Sequence, residues 1–467
     1  MDGRTLTRAV ALGCLAAAVT GTAAAHGGLA GGRPGRLAVP TWLFVSTGGA
    51  VVGLSVLLAS FVTERDLVNA LDRWHVSLAR FGTRLDAASP VHRRGPPGSL
   101  GWGQVVGLLA LTAVVVTGFL GPQAPLGNAA VLLVWVGWWV GYAASTYLVG
   151  NTWPAVDPFR ALARPLGDGL VGYPDRLGSW PAIAGLFALV WAEIASPVTA
   201  SPRWLAVATV GYLLVTLAGA ALVGSGAWFR HVDPLAAAFR SFGSVAPLSL
   251  RDGELRVSLP GAAAGNDWPA DRGTVAFVVA LVWVTTFDGL VGTALWATHA
   301  RTLVGAGLPA AALYPVALLV GFAAYALGFA LAVRAVRRVA PTCRSPDRLA
   351  RAFAPSLAAV AAGYHLAHNL GYFLSYLPAL ARALTRPFGP AAPTALSVPG
   401  WVGALSVGAV VGGHLLAVWL AHGAAYDLFP SRVQAVRSHL PTSLLMVLYT
   451  VVSLWIVTQP YSQPPYL

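Results

Sequence analysis

Lysine is absent from this 467-residue chain, and charged residues of all kinds make up only 10% of it. Hydrophobic residues, in contrast, make up 56%. So few charges cannot cover the surface of a soluble protein of this length with polar groups. The composition therefore predicts an integral membrane protein whose main partner is the lipid bilayer.

Cysteine is nearly absent too, with only Cys14 and Cys343 in the chain. Disulfides and thiolate metal sites are therefore not expected. The sequence also lacks a GxSxG nucleophile elbow and a P-loop, and the glycines of a dinucleotide fingerprint have no strand-to-helix turn to occupy. These absences argue against a serine esterase of the α/β type and against a nucleotide-binding enzyme.

The net charge of +13 comes from 30 arginines, which are spread between apolar runs. A nucleic-acid-binding protein would gather its basic residues on one face or stripe. No nucleic-acid partner is predicted, and the arginines are interpreted as determinants of membrane topology.

The first 25 residues have the pattern of a cleaved secretory signal peptide. Arg4 and Arg8 precede a short apolar stretch, and the small residues Ala23, Ala24 and Ala25 close it. An uncleaved first membrane segment is the alternative. Cleavage after Ala25 would make His26 the mature N-terminus, where its amine and imidazole together suit a metal ion; an ordinary flexible tail is the other interpretation.

Ten further apolar segments are long enough, or nearly so, to cross a hydrocarbon core of about 30 Å. They predict an all-α polytopic bundle of about ten transmembrane helices. The predicted spans are 42–62, 102–120, 129–149, 180–195, 205–224, 275–297, 308–333, 353–377, 401–421 and 442–458.

The arginines predict the orientation of this bundle. With the signal removed, both mature termini fall on one side, and secretory targeting puts that side outside. Loops on the other side hold 22 arginines, whereas outside segments hold six. This is the positive-inside bias, and it predicts a multi-pass cell-membrane protein with both termini outside.

Residues 26–467 are predicted to form a single domain with one larger cytoplasmic insertion at about 225–274. Within it, alternating apolar residues flank Asp252-Gly253, a pattern typical of a hairpin with a type I′ turn. Residues 234–242 are predicted to form an interfacial helix with Arg240 facing the lipid headgroups.

Ionisable residues inside the predicted spans are the candidate site, because a charged side chain in hydrocarbon costs about 2.5–3.5 kcal/mol and needs a partner, a cavity or a ligand. They fall into a set in the middle and outer half of the bundle and one residue near the cytoplasmic edge. The outer set is Glu193, Asp288, His365, His368 and His414, and the residue near the edge is His422.

Helical spacing restricts which of these residues can meet. His365 and His368 are i,i+3 neighbours with Cβ atoms about 5–6 Å apart, so they can face one ligand. His414 and His422 lie about 12 Å apart along the axis, so they cannot share one metal ion. A site that spans two helices needs His414 to meet His365 or His368.

Three kinds of chemistry fit these side chains. Imidazoles bind copper, zinc or haem iron, and a carboxylate such as Asp288 favours zinc over cuprous copper. His365 and His414 on facing helices are also suited to be the axial ligands of a b-type haem. The alternative is that each histidine makes an ordinary hydrogen bond, such as His368 with Tyr372 or His422 with Tyr426.

Several motifs in register resemble one family over most of the chain. The chain resembles the multi-pass membrane proteins of actinobacteria and haloarchaea that are commonly labelled fenitrothion hydrolase. The motifs are Ala25-His-Gly-Gly-Leu29, Val39-Pro-Thr-Trp-Leu-Phe44, Asn151-Thr-Trp153, Asp157-Pro-Phe-Arg160, Tyr173-Pro-Asp-Arg-Leu-Gly-Ser-Trp-Pro-Ala182, Thr286-Phe-Asp-Gly-Leu290, Tyr364-His-Leu-Ala-His368 and Gly413-His-Leu-Leu-Ala-Val-Trp-Leu-Ala-His422.

This resemblance implies hydrolysis of an organophosphorus ester by a metal-activated water. His365, His368 and His414 would then bind the metal, and Asp288 would be a ligand or the general base. Members of the family often carry an aspartate directly after the last histidine; here that position is Gly423, and Asp427 lies one turn further on.

The residues favour handling of a transition metal, copper or zinc, or of haem. Such a protein would act in transport or in the maturation of a respiratory enzyme, with a respiratory or metal-delivery protein as partner. In this interpretation His26 collects the ion outside and His422 receives it on the inner side. The other hypotheses are the metal-dependent hydrolase, a haem-bearing redox subunit, and a structural membrane subunit without a cofactor.

Overall fold

The computed structural model describes residues 40–62, 64–80, 101–251, 254–262, 271–390 and 395–466. The predicted signal peptide and His26 lie outside these residues. The described chain is mostly helical with very little sheet, so the predicted all-α class is confirmed.

Fifteen α-helices of four residues or more are found in the described residues. They are α1 (Thr41–Phe61), α2 (Arg65–Arg73), α3 (Trp102–Leu120), α4 (Ala129–Leu148, π-helical over Leu133–Tyr142), α5 (Trp153–Val156), α6 (Pro158–Ala163), α7 (Trp180–Ala195), α8 (Pro202–Val223), α9 (Pro234–Gly243), α10 (Arg272–Val291), α11 (Ala294–Gly305), α12 (Ala310–Val339), α13 (Pro346–Thr385), α14 (Trp401–Leu428) and α15 (Arg432–Thr458).

Short 3₁₀-, α- and π-helical segments connect several of these helices. They are Pro125–Gly127, Arg164–Leu166, Asp175–Leu177, Pro197–Thr199, Ser225–Ala227 and the π-helical Trp228–Val232.

A small antiparallel sheet joins two distant segments of the chain. Its strands are β1 (His75–Arg80), β2 (Leu248–Arg251) and β3 (Glu254–Ser258), in the order β1-β3-β2. Strands β2 and β3 pair as the predicted hairpin, with Arg251 opposite Glu254. The two predicted turn residues lie outside the described part of the chain, and the pairing of β1 with β3 was not predicted.

Eight of the helices are long and apolar enough to cross a membrane: α1, α3, α4, α8, α10, α12, α14 and α15. Two predicted spans fall outside this group. Helix α7 has only 16 residues, and α13, which carries His365 and His368, has 40 residues but does not reach the same apolar standard. A membrane location is compatible with these helices.

One predicted span is divided in two. The sequence predicts a single helix over 275–297, but α10 ends at Val291 and α11 begins at Ala294. The Thr293 hydroxyl accepts a hydrogen bond from the Trp296 backbone N–H at 3.1 Å and caps the new helix. A threonine at this position favours a helix start, and a Cβ built on Gly292 would lie in tight contact with the Tyr461 ring, at 3.3 Å.

The bundle has two distinguishable ends. At one, the Arg272 guanidinium donates to the Asp347 carboxylate at 2.7 Å, so α10 and α13 begin together; Arg344 Nε donates to the Leu428 carbonyl at 2.9 Å, so α14 ends there. The sheet follows α2 on this side, and we call it the sheet end. At the other, the Tyr314 hydroxyl donates to the Pro465 carbonyl; we call it the tail end.

Helix α13 runs through the centre of the bundle, packed on α14, α10 and α4. Its closest neighbour is α14, and glycines form the crossing. A Cβ built on Gly363 would lie 2.6 Å from the Ala409 carbonyl oxygen, and one on Gly413 would lie 2.6 Å from the Ala359 carbonyl oxygen. The two backbones are in direct contact, as small residues permit in membrane bundles.

The predicted interfacial helix is a buried one. Seven of the ten residues of α9 are buried, among them Phe239 and Phe242. Arg240, predicted to face headgroups, instead donates to the Arg230 carbonyl at 2.9 Å. The apolar side of α9 packs against α4, α7 and α13, which removes it from water.

Two buried aspartates cap helices near the sheet end. The Asp157 carboxylate accepts the backbone N–H groups of Phe159 and Arg160, and Asp233 accepts that of Ala236. Each caps a helix that begins with proline. Burial, reinforced by the charge of Asp233, raises the pKa of Asp157 to about 7.

The glycine crossing gives a direct test. Gly413→Ala is expected to destabilise the protein by about 1–3 kcal/mol, because the new methyl group collides with backbone atoms. Gly412→Ala on the same helix is the matched control, since nothing lies within 4 Å of its Cβ position. Thermal unfolding in detergent measures both. Equal midpoints for the two variants would contradict the crossing.

The raised pKa of Asp157 predicts a pH dependence. Between the ordinary value of 3.8 and about 7, the folded state holds a proton that the unfolded state has lost, so stability falls as pH rises through this window. Asp157→Asn keeps the cap but cannot titrate, and its unfolding midpoint should vary less from pH 4 to 7. The exposed Asp427→Asn is the control and should keep the wild-type slope; an unchanged slope in Asp157→Asn would refute the assignment.

Candidate functional site

The clearest polar contact between two core helices joins α13 to α10 near the tail end. His368 Nε2 lies 3.1 Å from Asp288 Oδ2, and the two side chains are 12% and 36% exposed. Asp288 stands three residues before the end of α10. A protonated imidazole makes this contact an ion pair, whereas a neutral one donates its Nε2–H to the carboxylate.

Tyr364 fixes the orientation of His368. Its ring stacks on the imidazole with the centroids 5.9 Å apart and an interplanar angle of 12°. The Tyr364 hydroxyl reaches α10 at Gly289, where a Cβ would lie 1.9 Å from it. Glycine beside Asp288 is therefore required for the tyrosine and the histidine to lie against α10.

His365 faces other helices than His368 does. Its Nδ1 lies 3.1 Å from the Tyr147 hydroxyl. Its ring packs edge-on against Trp139 and Tyr147 of α4 and at a tilt of 53° against Phe242 of α9. The prediction that the two i,i+3 histidines face one ligand is therefore not realised. His365 is buried in an aromatic enclosure that the unexpected burial of α9 completes.

His414 turns back to its own helix. Its Nδ1 donates to the Val410 carbonyl at 2.8 Å, and the residue is completely buried beside the glycine crossing. It meets neither His365 nor His368 in any hydrogen bond or ring contact among the described residues.

Glu193 stands on α7, which packs on α10, and its charge acts on the Tyr372 hydroxyl. Tyr372 packs in turn on Tyr376, with ring centroids 5.1 Å apart. The tail-end part of α13 thus carries tyrosine side chains, with one carboxylate near Tyr372 and another at His368.

His422 belongs to a separate cluster at the sheet end. Its Nε2 donates to the Val62 carbonyl at 3.0 Å, and its ring packs on those of Tyr426 and His439. Sequence reasoning missed His439, because the last span was expected to begin at residue 442 and His439 was counted in a loop. Helix α15 begins at Arg432, so His439 lies inside it.

A resident metal centre with three protein ligands does not fit these residues. In the described part of the chain, no three His, Cys, Asp or Glu side chains are grouped so as to hold a metal ion. Structural and catalytic zinc sites use three or four protein ligands. Asp288 and His368 are in contact with each other. The other two predicted ligands, His365 and His414, face different neighbours.

A haem between His365 and His414 does not fit either. It would have to lie at the level where the backbones of α13 and α14 touch through Gly363 and Gly413. His365 is enclosed by rings on the other side, and the Nδ1 of His414 is engaged with its own helix.

Comparison with known proteins gives no relative: no family model, no curated protein and no solved structure matches the chain. The resemblance to fenitrothion hydrolase-like proteins and the roles it implies stay predictions.

The contact of Tyr364 with Gly289 is tested by a double-mutant cycle. Gly289→Ala is expected to destabilise by about 1–3 kcal/mol, since the methyl group would occupy the position of the tyrosine hydroxyl. In a Tyr364→Phe background the same change should cost less, because the hydroxyl is gone. Thermal unfolding of the four proteins measures the coupling; additive effects would contradict the contact.

Proposed function

We propose that this chain is a ten-span membrane protein that moves a divalent transition-metal ion of the zinc class, with Asp288 and His368 as its binding site. The ten spans would be the eight apolar helices together with α7 and α13. The arginine bias supports an orientation with the tail end outside, so that the site opens toward the outer face. The observation that carries the proposal is the 3.1 Å contact of His368 with Asp288.

The small number of ligands favours cargo over a resident metal. One imidazole and one carboxylate leave coordination positions for water, so an ion can enter and leave. Transport sites must bind strongly enough to load and weakly enough to release. A resident zinc would have three or four protein ligands, and Asp288 and His368 supply two.

The chemistry of the pair favours zinc over cuprous copper. A carboxylate oxygen is a hard ligand and an imidazole nitrogen a borderline one, whereas monovalent copper prefers soft sulfur ligands. The chain has two cysteines and two methionines in all. The partial exposure of Asp288 supports access for a hydrated dication.

Protons should compete with the ion at this site. A protonated imidazole cannot coordinate a metal, so binding must release any proton on His368. Acidification on the outer side is therefore expected to reduce binding and uptake. A partner that delivers or receives the ion would dock on the inner side, at the sheet end.

The hydrolase and redox hypotheses receive less support. A water-activating zinc centre needs three protein ligands, and a bis-histidine haem would need space where α13 and α14 touch. The pair Asp288 and His368, between α10 and α13, can bind an ion transiently without a third protein ligand and without space for a haem.

The proposal predicts zinc uptake into vesicles that contain the purified protein. Asp288→Asn and His368→Gln should each reduce the initial rate of radioactive zinc uptake by about 10–100-fold, because each removes one of two ligands. His299→Gln and Asp427→Asn are the matched controls, since both side chains are exposed and neither belongs to the proposed Asp288–His368 site. They should transport like the wild type.

Two results would overturn the proposal. One is uptake that is unchanged in both Asp288→Asn and His368→Gln. The other is the absence of zinc uptake and of zinc binding in folded wild-type protein.

A further inference from the structure

A second pair of buried histidines lies at the sheet end, where α14 and α15 meet. His422 and His439 are both fully buried. Their ring centroids are 5.0 Å apart, and the rings are almost perpendicular, at 82°. His422 stands six residues before the end of α14 and His439 seven residues after the start of α15.

Each imidazole has one nitrogen engaged and one unengaged. His422 Nε2 contacts the Val62 carbonyl, which can only accept, so Nε2 carries the hydrogen and Nδ1 carries a lone pair. His439 Nδ1 contacts the Ser443 hydroxyl at 3.1 Å, and when it donates there, Nε2 also carries a lone pair. His422 Nδ1 and His439 Nε2 are buried without a hydrogen-bond partner.

This arrangement is the one that metal-binding histidines adopt. Such a histidine donates its other ring N–H to a carbonyl or another acceptor, which fixes the tautomer and directs the lone pair at the metal. Without a ligand, each of these buried imidazole nitrogens would be left without a hydrogen-bond partner, which is unfavourable. We infer that His422 Nδ1 and His439 Nε2 bind a zinc-class ion, as a second site at the inner end of the bundle.

The separation of the rings agrees with tetrahedral coordination. Two imidazoles that share one zinc ion through Zn–N bonds of about 2.0–2.1 Å have ring centres about 5 Å apart when the N–Zn–N angle is near tetrahedral, and the centres of His422 and His439 are 5.0 Å apart. The Tyr426 hydroxyl, buried without a partner and carried by a ring 4.8 Å from that of His422, is a further oxygen in this cluster. The remaining positions suit water or an accepting partner.

The identity of the ion rests on the proposed function; the two-histidine site itself does not. Asp288 and His368 lie near the tail end, and His422 and His439 near the sheet end, so an ion that crosses the bundle would meet one pair and then the other. The inference gives the transported ion a place to bind before release.

The test counts zinc ions bound to the purified full-length protein after removal of metal by a chelator. Wild type should bind two equivalents in equilibrium dialysis with zinc alone. His422→Gln and His439→Gln should each weaken one equivalent by about 10–100-fold, and Asp288→Asn should weaken the other. Gln at 422 still has an N–H for the Val62 carbonyl, and His299→Gln should keep both equivalents.

A spectroscopic measurement covers the case in which a histidine variant fails to fold. Asp288→Asn loaded with one equivalent of zinc should show two imidazole ligands in X-ray absorption. The inference is overturned if that spectrum shows fewer than two imidazole ligands, or if folded His422→Gln and His439→Gln keep both equivalents. If zinc binding is weakened only by Asp288→Asn, the inner site is refuted and the proposed function stands. If zinc binding is weakened only by His422→Gln and His439→Gln, the inner site stands and the proposed function is refuted.

Discussion

The backbone contact of α13 and α14 at Gly363 and Gly413 sets the rotation of α13 about its axis, and thereby the direction in which its side chains point. An α-helix turns about 100° per residue, so His365 lies about 200° around the helix from Gly363 and His368 about 140°. His365 is thereby directed away from α14 into the aromatic rings of α4 and α9, and His368 toward α10. His414, about 100° from Gly413, meets neither. The glycine crossing thus separates histidines that lie close together in sequence.

The sequence predicted the large features of this fold, because the length of an apolar run is a local property. The helices at 102–120 and 180–195 have the predicted bounds, and the pairing of β2 with β3 was predicted from the alternation of apolar residues on either side of positions 252 and 253. The pairing of β1 with β3 joins segments about 180 residues apart, for which no local pattern exists. The burial of α9 was likewise hidden, since its apolar side fits a membrane surface as well as a protein core.

The site was predicted in kind and not in detail. The cost of ionisable groups in hydrocarbon indicated that Asp288 and the histidines would have partners, and Asp288 does pair with His368. Which histidine Asp288 contacts depends on how α13 is rotated about its axis. The glycine crossing sets that rotation, and the spacing of residues within one helix does not reveal it. His439 was missed for a simpler reason: the apolar run predicted a last span that begins at residue 442, yet α15 begins at Arg432 and continues through Pro441.

The central claim is that Asp288 and His368 form a transient site for a zinc-class ion. The most direct measurement is an experimental structure determined with zinc present, with anomalous scattering recorded at the zinc absorption edge. The account predicts an anomalous peak between Asp288 Oδ2 and His368 Nε2. A map of the fully zinc-loaded protein without a peak at this pair would contradict it.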